Sequence, residues 1–131
     1  MVYVGTDIVE IERIRRAAER HPGFWDRVLT SREKDYCLAQ GNPVQSLAGR
    51  FAAKEAVLKC LGLGLFRVSW HDVEINTDSL GCPLVKLKAS LEQISAENKI
   101  TAISISISHC RSYAMAVAVG EGGLLNENNN R

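Results

Sequence analysis

The stretch from Leu47 to Lys59 constrains the fold more than any other part of the chain, because its apolar residues have the spacing of a long helix. Ser46 is a candidate N-cap and Gly62 a candidate glycine stop. One apolar stripe runs along the predicted helix and consists of Leu47, Phe51, Leu58 and Leu61. The pattern predicts a central helix against which the other elements pack.

A second face of this helix combines small side chains with charges. Ala48 and Ala52 precede Glu55 and Lys59 at helical spacing, and Gly49 lies nearby. A Glu–Lys pair four residues apart is commonly a solvated pair that stabilises a helix by about 0.3–0.5 kcal/mol. Small side chains also let another segment or a ligand approach the backbone closely. The spacing alone leaves both interpretations open.

Composition limits the classes of protein to consider. A chain of 131 residues, 46% of them hydrophobic, has the size of one domain. A net charge of +1 gives no basic field for nucleic acid, and no apolar stretch is long enough to span a membrane. The four cysteines form no CxxC pair, and the first residues lack a signal-peptide pattern. We therefore expect reduced thiols, a cytoplasmic location, and neither nucleic-acid nor membrane binding.

The N-terminal region is predicted to be a strand followed by a helix. The segment Val2–Asp7 has the apolar character of a buried strand. An aspartate at a strand end commonly caps the following helix, and the functional alternative for Asp7 is a metal ligand. A helical pattern follows, and three arginines share one of its faces: Arg13, Arg16 and Arg20. Such a face is either solvated or binds an acidic partner.

The middle of the chain contains a cap and a hairpin. Thr30 and Glu33 have the spacing of a capping box that opens a short helix. The segment Trp70–Ile75 alternates in polarity, so Asp72 and Glu74 are expected to face solvent. A turn rich in Asn, Asp, Ser and Gly follows, and a second strand returns from it.

The C-terminal third contains the clearest strand pattern. Isoleucines alternate with serines in the segment Ile103–Ser108, and Tyr113–Val119 is predicted to pair with it as a hairpin. The segment Ala89–Asn98 has helical periodicity. Residues 120–131 are rich in Gly and Asn and are expected to form a disordered tail. We predict one α+β domain over residues 1–119, with a small, mainly antiparallel sheet packed around the long central helix.

Three short motifs are spread over nearly the whole chain. They are Gly5-Thr6-Asp7-Ile8-Val9, then Arg50-Phe51-Ala52-Ala53-Lys54-Glu55-Ala56 with Lys59, and Ser106-Ile107-Ser108-His109 with Tyr113-Ala114. In order and separation they resemble the motifs of the holo-[acyl-carrier-protein] synthases, which are small phosphopantetheinyl transferases. Each motif is weakly specific by itself, whereas three in register over residues 3–119 are strongly specific.

The resemblance implies transfer of 4′-phosphopantetheine from coenzyme A to a serine of an apo acyl carrier protein, with adenosine 3′,5′-bisphosphate as the other product. It implies Asp7 and Glu55 as ligands of Mg²⁺, an ion that prefers oxygen ligands. Lys59, one turn after Glu55, would stabilise charge on the phosphates. These three residues form the implied catalytic set. The base that accepts the serine proton is left open between Glu55, Asp7 and a metal-bound water.

The resemblance also implies binding residues and partners. It assigns coenzyme A binding to Arg50, Lys59 and His109, and binding of the acidic acyl carrier protein to Arg13 and Arg20. It implies a homotrimer with sites between subunits and a place in fatty acid biosynthesis. The family's Gly-Thr-Gly turn is replaced here by Gly62-Leu63-Gly64, so the contacts of that loop are not carried over.

Two other functions are compatible with parts of the sequence. A serine hydrolase would use Ser108, His109 and Asp7, but neighbouring residues of a strand point to opposite faces, and no Gly-x-Ser-x-Gly elbow is present. A module that binds an acidic protein through its arginine face would need none of the implied catalytic residues. Substitution of Asp7, Glu55 and Lys59 therefore separates an enzyme from a binding module.

Overall fold

The computed structural model describes residues 1–63 and 68–122. The helices are α1 (Ile11–Arg20), α2 (Phe24–Val28), α3 (Ser31–Leu38), α4 (Pro43–Cys60) and α5 (Ala89–Glu97). The strands are β1 (Val2–Glu10), β2 (Val73–Thr77), β3 (Pro83–Leu87), β4 (Ile100–His109) and β5 (Tyr113–Gly122). Among the described residues, no helix has both the length and the apolar character needed to cross a membrane.

Two antiparallel sheets contact helix α4. The larger sheet has the order β1-β5-β4, so that the central strand β5 pairs with both neighbours. Its inner face includes Gly5 and Ile105, which both lie opposite Ala118. The smaller sheet is the β2–β3 hairpin, in which Val73 lies opposite Leu87. The predicted α+β fold, with antiparallel strands around a long central helix, is confirmed.

Helix α4 begins earlier than the apolar stripe suggests. Pro43 is its first residue, and the Asn42 side chain accepts a hydrogen bond of 3.1 Å from the backbone N–H of Gln45. Proline suits a first helical position because its missing N–H would have no partner there. Asn42 is therefore the N-cap, and the assignment of this role to Ser46 is wrong.

The predicted glycine stop at the end of α4 is confirmed. Gly62 has a φ of +75°, which glycine adopts without a Cβ penalty. The Leu63 N–H donates to the carbonyl of Leu58 at 2.8 Å, and the Gly62 N–H donates to that of Lys59 at 3.0 Å. This pair of bonds is a Schellman motif. Gly64 lies outside the described residues.

Helix α4 is buried on most sides because two apolar clusters pack against it. One cluster joins its alanines to β5 and β2, and includes Ala52, Ala56, Ala118 and Val73. The other joins its first turns to α1, α2 and α3, and includes Leu47, Ile14, Phe24 and Val28. The strip of small residues on α4 thus admits the close approach of a strand.

Three local predictions differ from the structure. Strand β1 continues to Glu10, so Asp7 lies within the strand opposite Ala116 and does not cap α1. Glu74 is buried, and its carboxylate accepts hydrogen bonds from Thr30 Oγ1 at 2.7 Å and Asn76 Nδ2 at 3.2 Å, while Asp72 is half-buried. Strand β5 continues to Gly122, three residues into the predicted tail. The rest of that tail, residues 123–131, lies outside the described residues.

Candidate active site

Gly5 sets the distance between β1 and α4. A Cβ at this position would lie 2.0 Å from the carbonyl oxygen of Ala56 and 2.5 Å from the backbone nitrogen of Cys60. Both atoms belong to the helix backbone, so neither can turn aside. Glycine therefore lets the strand lie directly on the helix. Asp7, two residues later on the same face of β1, is thereby brought to α4.

Asp7 meets Lys59 on α4. The Lys59 ammonium donates to Asp7 Oδ1 at 3.2 Å and to the carbonyl oxygen of Thr6 at 3.0 Å. The Asp7 side chain is only 9% exposed, whereas that of Lys59 is 56% exposed. Asp7 Oδ2 is buried, and no N–H or hydroxyl group of the described residues donates to it. The Glu55 carboxyl can bond to Asp7 only while it is protonated, so the two ionised carboxylates would leave an oxygen available to a ligand.

Glu55 lies between the same two side chains. Burial and the neighbouring Asp7 carboxyl raise the pKa of Glu55 to about 7, although the positive charge of Lys59 acts in the opposite direction. Two carboxylates beside one exposed lysine leave a deficit of positive charge. The structure thus brings together Asp7, Glu55 and Lys59, which we call the carboxylate cluster.

The carboxylate cluster fits a hard divalent cation. The described residues contain no group of three or more His, Cys, Asp or Glu side chains arranged for a metal. Magnesium sites of phosphoryl-transfer enzymes commonly use one or two carboxylates and complete the shell with water and substrate phosphates. The unpartnered Oδ2 of Asp7 and the raised pKa of Glu55 are the features that such an ion would relieve. Asp7 and Glu55 are the residues that could hold it.

A groove of about 550 Å³ runs from the carboxylate cluster along α1. Its lining includes Glu55, Arg13, Phe24, Phe51 and Tyr113. We call it the α1 groove. Its charged lining consists of one cation, Arg13, and two carboxyl groups, Glu10 and Glu55, and its walls are apolar and aromatic. Arg13 is therefore the one lining residue that suits an acidic partner, and the aromatic walls suit an apolar contact residue.

A separate cleft of about 450 Å³ contains the other two predicted binding residues, Arg50 and His109. We call it the Arg50 cleft. Arg50 is 7% exposed; its Nη2 donates to Thr77 Oγ1 at 2.6 Å, and its guanidinium lies 4.3 Å from the ring centroid of Tyr36. Its Nε is buried and has no hydrogen-bond partner among the described residues. The cleft is therefore lined by a fixed positive charge, which is suited to attract an anion.

The predicted site residues therefore fall into two places within one chain. Asp7, Glu55 and Lys59 form the carboxylate cluster next to Arg13, while Arg50 and His109 line a different cavity. Arg20 is exposed at the end of α1 and lines neither cavity.

The arrangement of a serine hydrolase is not present in the described residues. Ser108 lies opposite Met115 on the outer face of the sheet. Asp7 lies opposite Ala116 on the inner face, which packs on α4. A nucleophile and an acid on opposite faces of one sheet cannot share a histidine.

Sequence analysis missed the residues that support Arg50 and the core of α4. Tyr36 and Thr77 hold Arg50 from α3 and β2, at sequence separations that no local pattern connects. Lys54 is part of the second motif, but its buried pair with Glu33, with Nζ and Oε1 2.7 Å apart, was not predicted. The capping box had assigned Glu33 a purely local role, which it also fulfils.

Comparisons with known proteins show the family of this chain. A family model described as the 4′-phosphopantetheinyl transferase superfamily matches residues 3–118. The chain belongs to this superfamily.

Similar proteins within the superfamily are the holo-[acyl-carrier-protein] synthases. The chain is 47% identical to the synthase of Moorella thermoacetica over 127 residues, which cover 97% of this chain and 99% of that one. The crystal structure of the Neisseria meningitidis synthase superposes with a TM-score of 0.85 at 36% identity, covering 92% and 99% of the two chains. That of the Helicobacter pylori synthase in complex with coenzyme A gives 0.79 at 33% identity, covering 90% and 99%.

Proposed function

We propose that this chain is a holo-[acyl-carrier-protein] synthase that transfers 4′-phosphopantetheine from coenzyme A to a serine of an apo acyl carrier protein. The observation that carries the proposal is the carboxylate cluster, in which two carboxylates and a lysine converge from two of the three sequence motifs. The products are the holo carrier and adenosine 3′,5′-bisphosphate. The similarity to a synthase over 97% of the chain supports the same reaction.

The reaction is a displacement at the β-phosphorus of the coenzyme A pyrophosphate. The serine oxygen forms a new P–O bond, the bond from this phosphorus to the bridging oxygen breaks, and the serine proton is transferred to a base. Lys59, which is 56% exposed and anchored by Asp7, can reach phosphate oxygens and stabilise their charge. Without a metal ion the pKa of Glu55 is about 7, and a bound ion would displace this proton. The base therefore stays open between Glu55, Asp7 and a metal-bound water.

Magnesium dependence is part of this proposal. Asp7 and Glu55 would hold the ion, and when bound it would neutralise charge on the pyrophosphate. The unpartnered Oδ2 of Asp7 supports this assignment. The charge of the ion would equal that of the two carboxylates, so the ammonium of Lys59, 3.2 Å from Asp7 Oδ1, would remain as positive charge for the phosphates.

The Arg50 cleft is proposed to bind the phosphorylated adenosine part of coenzyme A. Arg50 supplies a guanidinium with an unpartnered Nε, and His109 supplies an exposed imidazole on the same cleft. Phosphate is the anion that a fixed guanidinium binds best. The helix N-terminus of α4 also opens here, since Asn42 lines the cleft.

The α1 groove is proposed to bind the acyl carrier protein. Arg13 on its rim would pair with acidic side chains of the carrier, and Phe24 and Phe51 would receive an apolar side chain. Arg20, seven residues further along α1, would extend the basic contact. The groove ends at Glu55, so a carrier bound there would present its serine to the carboxylate cluster.

A homotrimer with shared sites is proposed from the outer face of the larger sheet. That face exposes large apolar side chains, which are Val2, Val4, Ile8, Tyr113 and Met115. Exposed apolar patches of this kind commonly form interfaces. Association of copies would also place the Arg50 cleft of one subunit beside the carboxylate cluster of another, and one molecule of coenzyme A would then contact both. A cytoplasmic location and a role in fatty acid biosynthesis remain predictions.

The proposed reaction is tested by the intact mass of an apo acyl carrier protein after incubation with this protein, coenzyme A and magnesium. We expect a gain of one phosphopantetheine group. The gain should be lost with EDTA and should fall at least about 100-fold in rate, or about 2.7 kcal/mol of activation free energy, in Glu55→Gln. A folded protein that modifies none of several carriers would instead favour a module that only binds acidic proteins.

The carrier site is tested by a pair of charge reversals on one helix. Arg13→Glu should raise the KM for the carrier and leave the KM for coenzyme A unchanged. Arg16→Glu is the matched control, because Arg16 is exposed on the same helix but does not line the α1 groove. If both variants raised the KM for the carrier equally, carrier binding would depend on the net charge of α1 and not on a contact with Arg13.

The shared site is tested by subunit mixing. Co-expressed Glu55→Gln and Arg50→Gln chains should regain part of the activity that each lacks alone, because a mixed trimer contains sites with neither substitution. Light scattering should give the mass of a trimer, and Val4→Glu should reduce it to that of a monomer. Absence of complementation in a trimer would place both residue sets in one subunit.

A further inference from the structure

The lining of the Arg50 cleft contains two aliphatic hydroxyl groups, those of Ser46 and Thr77. Both residues are half-buried. The Ser46 hydroxyl donates its proton into the protein, to Cys37 Sγ at 3.2 Å. The Thr77 hydroxyl is bonded differently, because its partner is a group that can only donate.

Thr77 Oγ1 accepts a hydrogen bond of 2.6 Å from Nη2 of Arg50. A guanidinium has N–H donors and no acceptor, so its chemistry fixes the direction of this bond. The proton of the Thr77 hydroxyl therefore points away from Arg50. Among the described residues no group accepts this proton, and Thr77 lines the cleft. The cleft thus contains a hydroxyl donor that is free for a ligand.

Thr77 is held in place by the attachment of β2 to α3. The Ile75 N–H donates to Glu33 Oε2 at 2.8 Å, and the Thr30 hydroxyl donates to Glu74 Oε2 at 2.7 Å. Thr77 itself is the last residue of β2. A donor fixed in this way loses little conformational freedom when it binds a ligand.

The charges around Thr77 favour an anion as the ligand of this donor. The described lining of the cleft includes the guanidinium of Arg50 and no carboxylate. Asp78 follows Thr77 in the chain, but its Oδ1 accepts from the backbone N–H groups of Leu80 and Cys82 at 2.8 and 2.9 Å, within the turn. A hydroxyl that accepts from a guanidinium is polarised, which strengthens its own donation to an anion.

Phosphate is the anion that the proposed function brings to this cleft, and the identity of the ligand rests on that function. Coenzyme A carries a pyrophosphate and a 3′-phosphate monoester. The pyrophosphate is assigned to the carboxylate cluster, where it reacts, so the 3′-phosphate is the group that remains for the Arg50 cleft. Its ionised oxygens accept hydrogen bonds and match a free hydroxyl donor.

We propose that Thr77 is a binding residue for the 3′-phosphate of coenzyme A, and that its hydroxyl links this phosphate to Arg50. Oγ1 accepts from Arg50 and donates its own proton to a phosphate oxygen. Thr77 thereby favours coenzyme A over dephospho-coenzyme A, which offers a neutral hydroxyl at this position instead of an anion. The residue contributes to substrate binding and takes no part in the bond that forms or the bond that breaks.

The test measures binding of adenosine 3′,5′-bisphosphate and of adenosine 5′-monophosphate to the full-length protein by titration calorimetry. Thr77→Val keeps the size of the side chain and removes the hydroxyl, whereas Thr77→Ser keeps the hydroxyl. Thr101→Val is the matched control, because Thr101 is a strand threonine that lines neither the Arg50 cleft nor the α1 groove. Melting temperatures establish that each variant is folded.

We expect Thr77→Val to raise the Kd of the bisphosphate at least about 10-fold, the size of the loss of one hydrogen bond to a charged group. The Kd of the monophosphate, which lacks the 3′-phosphate, should be unchanged. Thr77→Ser should restore binding of the bisphosphate, and Thr101→Val should bind it as the wild type does. In transfer assays the KM for coenzyme A should rise by a similar factor in Thr77→Val, with a smaller change in kcat.

A double-mutant comparison separates direct binding from positioning of Arg50. In the Arg50→Gln background, Thr77→Val should weaken binding of the bisphosphate further, because the hydroxyl no longer depends on Arg50 to meet the phosphate. NMR titration reaches the high Kd values expected in this background. No further loss would mean that Thr77 acts only by holding Arg50, and would overturn the proposal. Equal losses for the bisphosphate and the monophosphate would overturn it as well.

The binding measurement does not depend on transfer activity. Selective weakening of the bisphosphate by Thr77→Val, in a protein that modifies no carrier, would reject the proposed reaction but retain the phosphate site. An active enzyme in which Thr77→Val binds the bisphosphate as the wild type does would reject only the phosphate site.

Discussion

Lys54 and Glu55 are consecutive residues of α4 and have opposite environments. Lys54 is fully buried, and its ammonium donates to Glu33 Oε1, the Val28 carbonyl and the Trp70 carbonyl at 2.7–2.9 Å. Glu55 is half-buried beside a second carboxylate, with one exposed lysine nearby. Each of the three N–H donors of the Lys54 ammonium has an acceptor, whereas Glu55 and the neighbouring carboxylate share one cation.

The difference separates a structural charge, Lys54, from Glu55, for which a functional role is proposed. The ammonium of Lys54 joins α2, α3 and the turn before β2 to the central helix, and its three donors are all used. Burial lowers the pKa of Lys54, and the Glu33 carboxylate counteracts this by favouring the charged form. At Glu55 the same helix keeps an uncompensated carboxylate at the edge of a groove, where a ligand can complete it.

The largest expected effect concerns Lys54, the structural charge. Lys54→Met should reduce the free energy of unfolding by about 3–5 kcal/mol, because it leaves the Glu33 carboxylate buried without its cation. Urea denaturation at pH 7 measures this loss. The double variant Lys54→Met/Glu33→Gln should recover part of it, since the neutral glutamine amide can still accept from the Ile75 N–H. No recovery would mean that the cost arises from lost packing and not from the unpaired charge.

The next largest effect concerns the packing of β1 on α4, which brings Asp7 close to Glu55. Gly5→Ala should cost about 1–3 kcal/mol of unfolding free energy or more, because the added methyl group meets the α4 backbone. It should also reduce activity by more than the stability loss explains, since β1 must shift away from Glu55. Gly23→Ala is the control, because a Cβ there meets no atom within 4 Å and Gly23 lines neither the α1 groove nor the Arg50 cleft. Equal thermal stability of the two variants would contradict the close packing.

Glu55→Gln should have a smaller effect on stability and one of the opposite sign. Without metal at pH 8 the substitution removes a repulsion between two carboxylates, and we expect a gain of roughly 0.5–1 kcal/mol, a modest value because solvent screens the half-exposed group. The same variant should lose activity. A gain in stability combined with a loss of activity is the signature of a functional charge. A destabilised Glu55→Gln would place Glu55 with Lys54 as a structural residue.

The smallest expected effect is a difference between the wild type and Glu55→Gln in the pH dependence of stability. Because the folded-state pKa of Glu55 is about 7, above its ordinary value of 4.5, the folded state binds this proton more tightly than the unfolded state. The resulting stabilisation is complete below pH 4.5 and is lost as the pH rises through 7. In EDTA, melting temperatures at pH 5.5 and pH 8 should differ more for the wild type than for Glu55→Gln. Magnesium should stabilise the wild type more at pH 8, because its binding displaces the proton.

Local sequence patterns predicted the elements well where one face of an element was buried and the other solvated. The Thr30–Glu33 capping box and the β4–β5 hairpin form as expected. The prediction was wrong at Glu74, because alternation assumes that one side of a strand faces water, and here the Glu74 side chain is buried and bonded to the Thr30 hydroxyl. It also failed at the start of α4, where a cap four residues before Ser46 determines the boundary.

Local sequence information specified the central helix and placed Glu55 and Lys59 on one of its faces, because the spacing of these residues is a property of one short segment. The spacing alone did not distinguish a site from a solvated pair, and that choice came from the motifs shared with a family. A motif shared with a family also indicated that Asp7 belongs to the site. The packing of distant segments was needed to establish that Gly5 brings Asp7 to that helix, that Glu55 has a pKa of about 7, and that Lys54 is buried against Glu33. Burial and long-range charge pairs depend on segments far apart in the chain, and no local pattern encodes their distance.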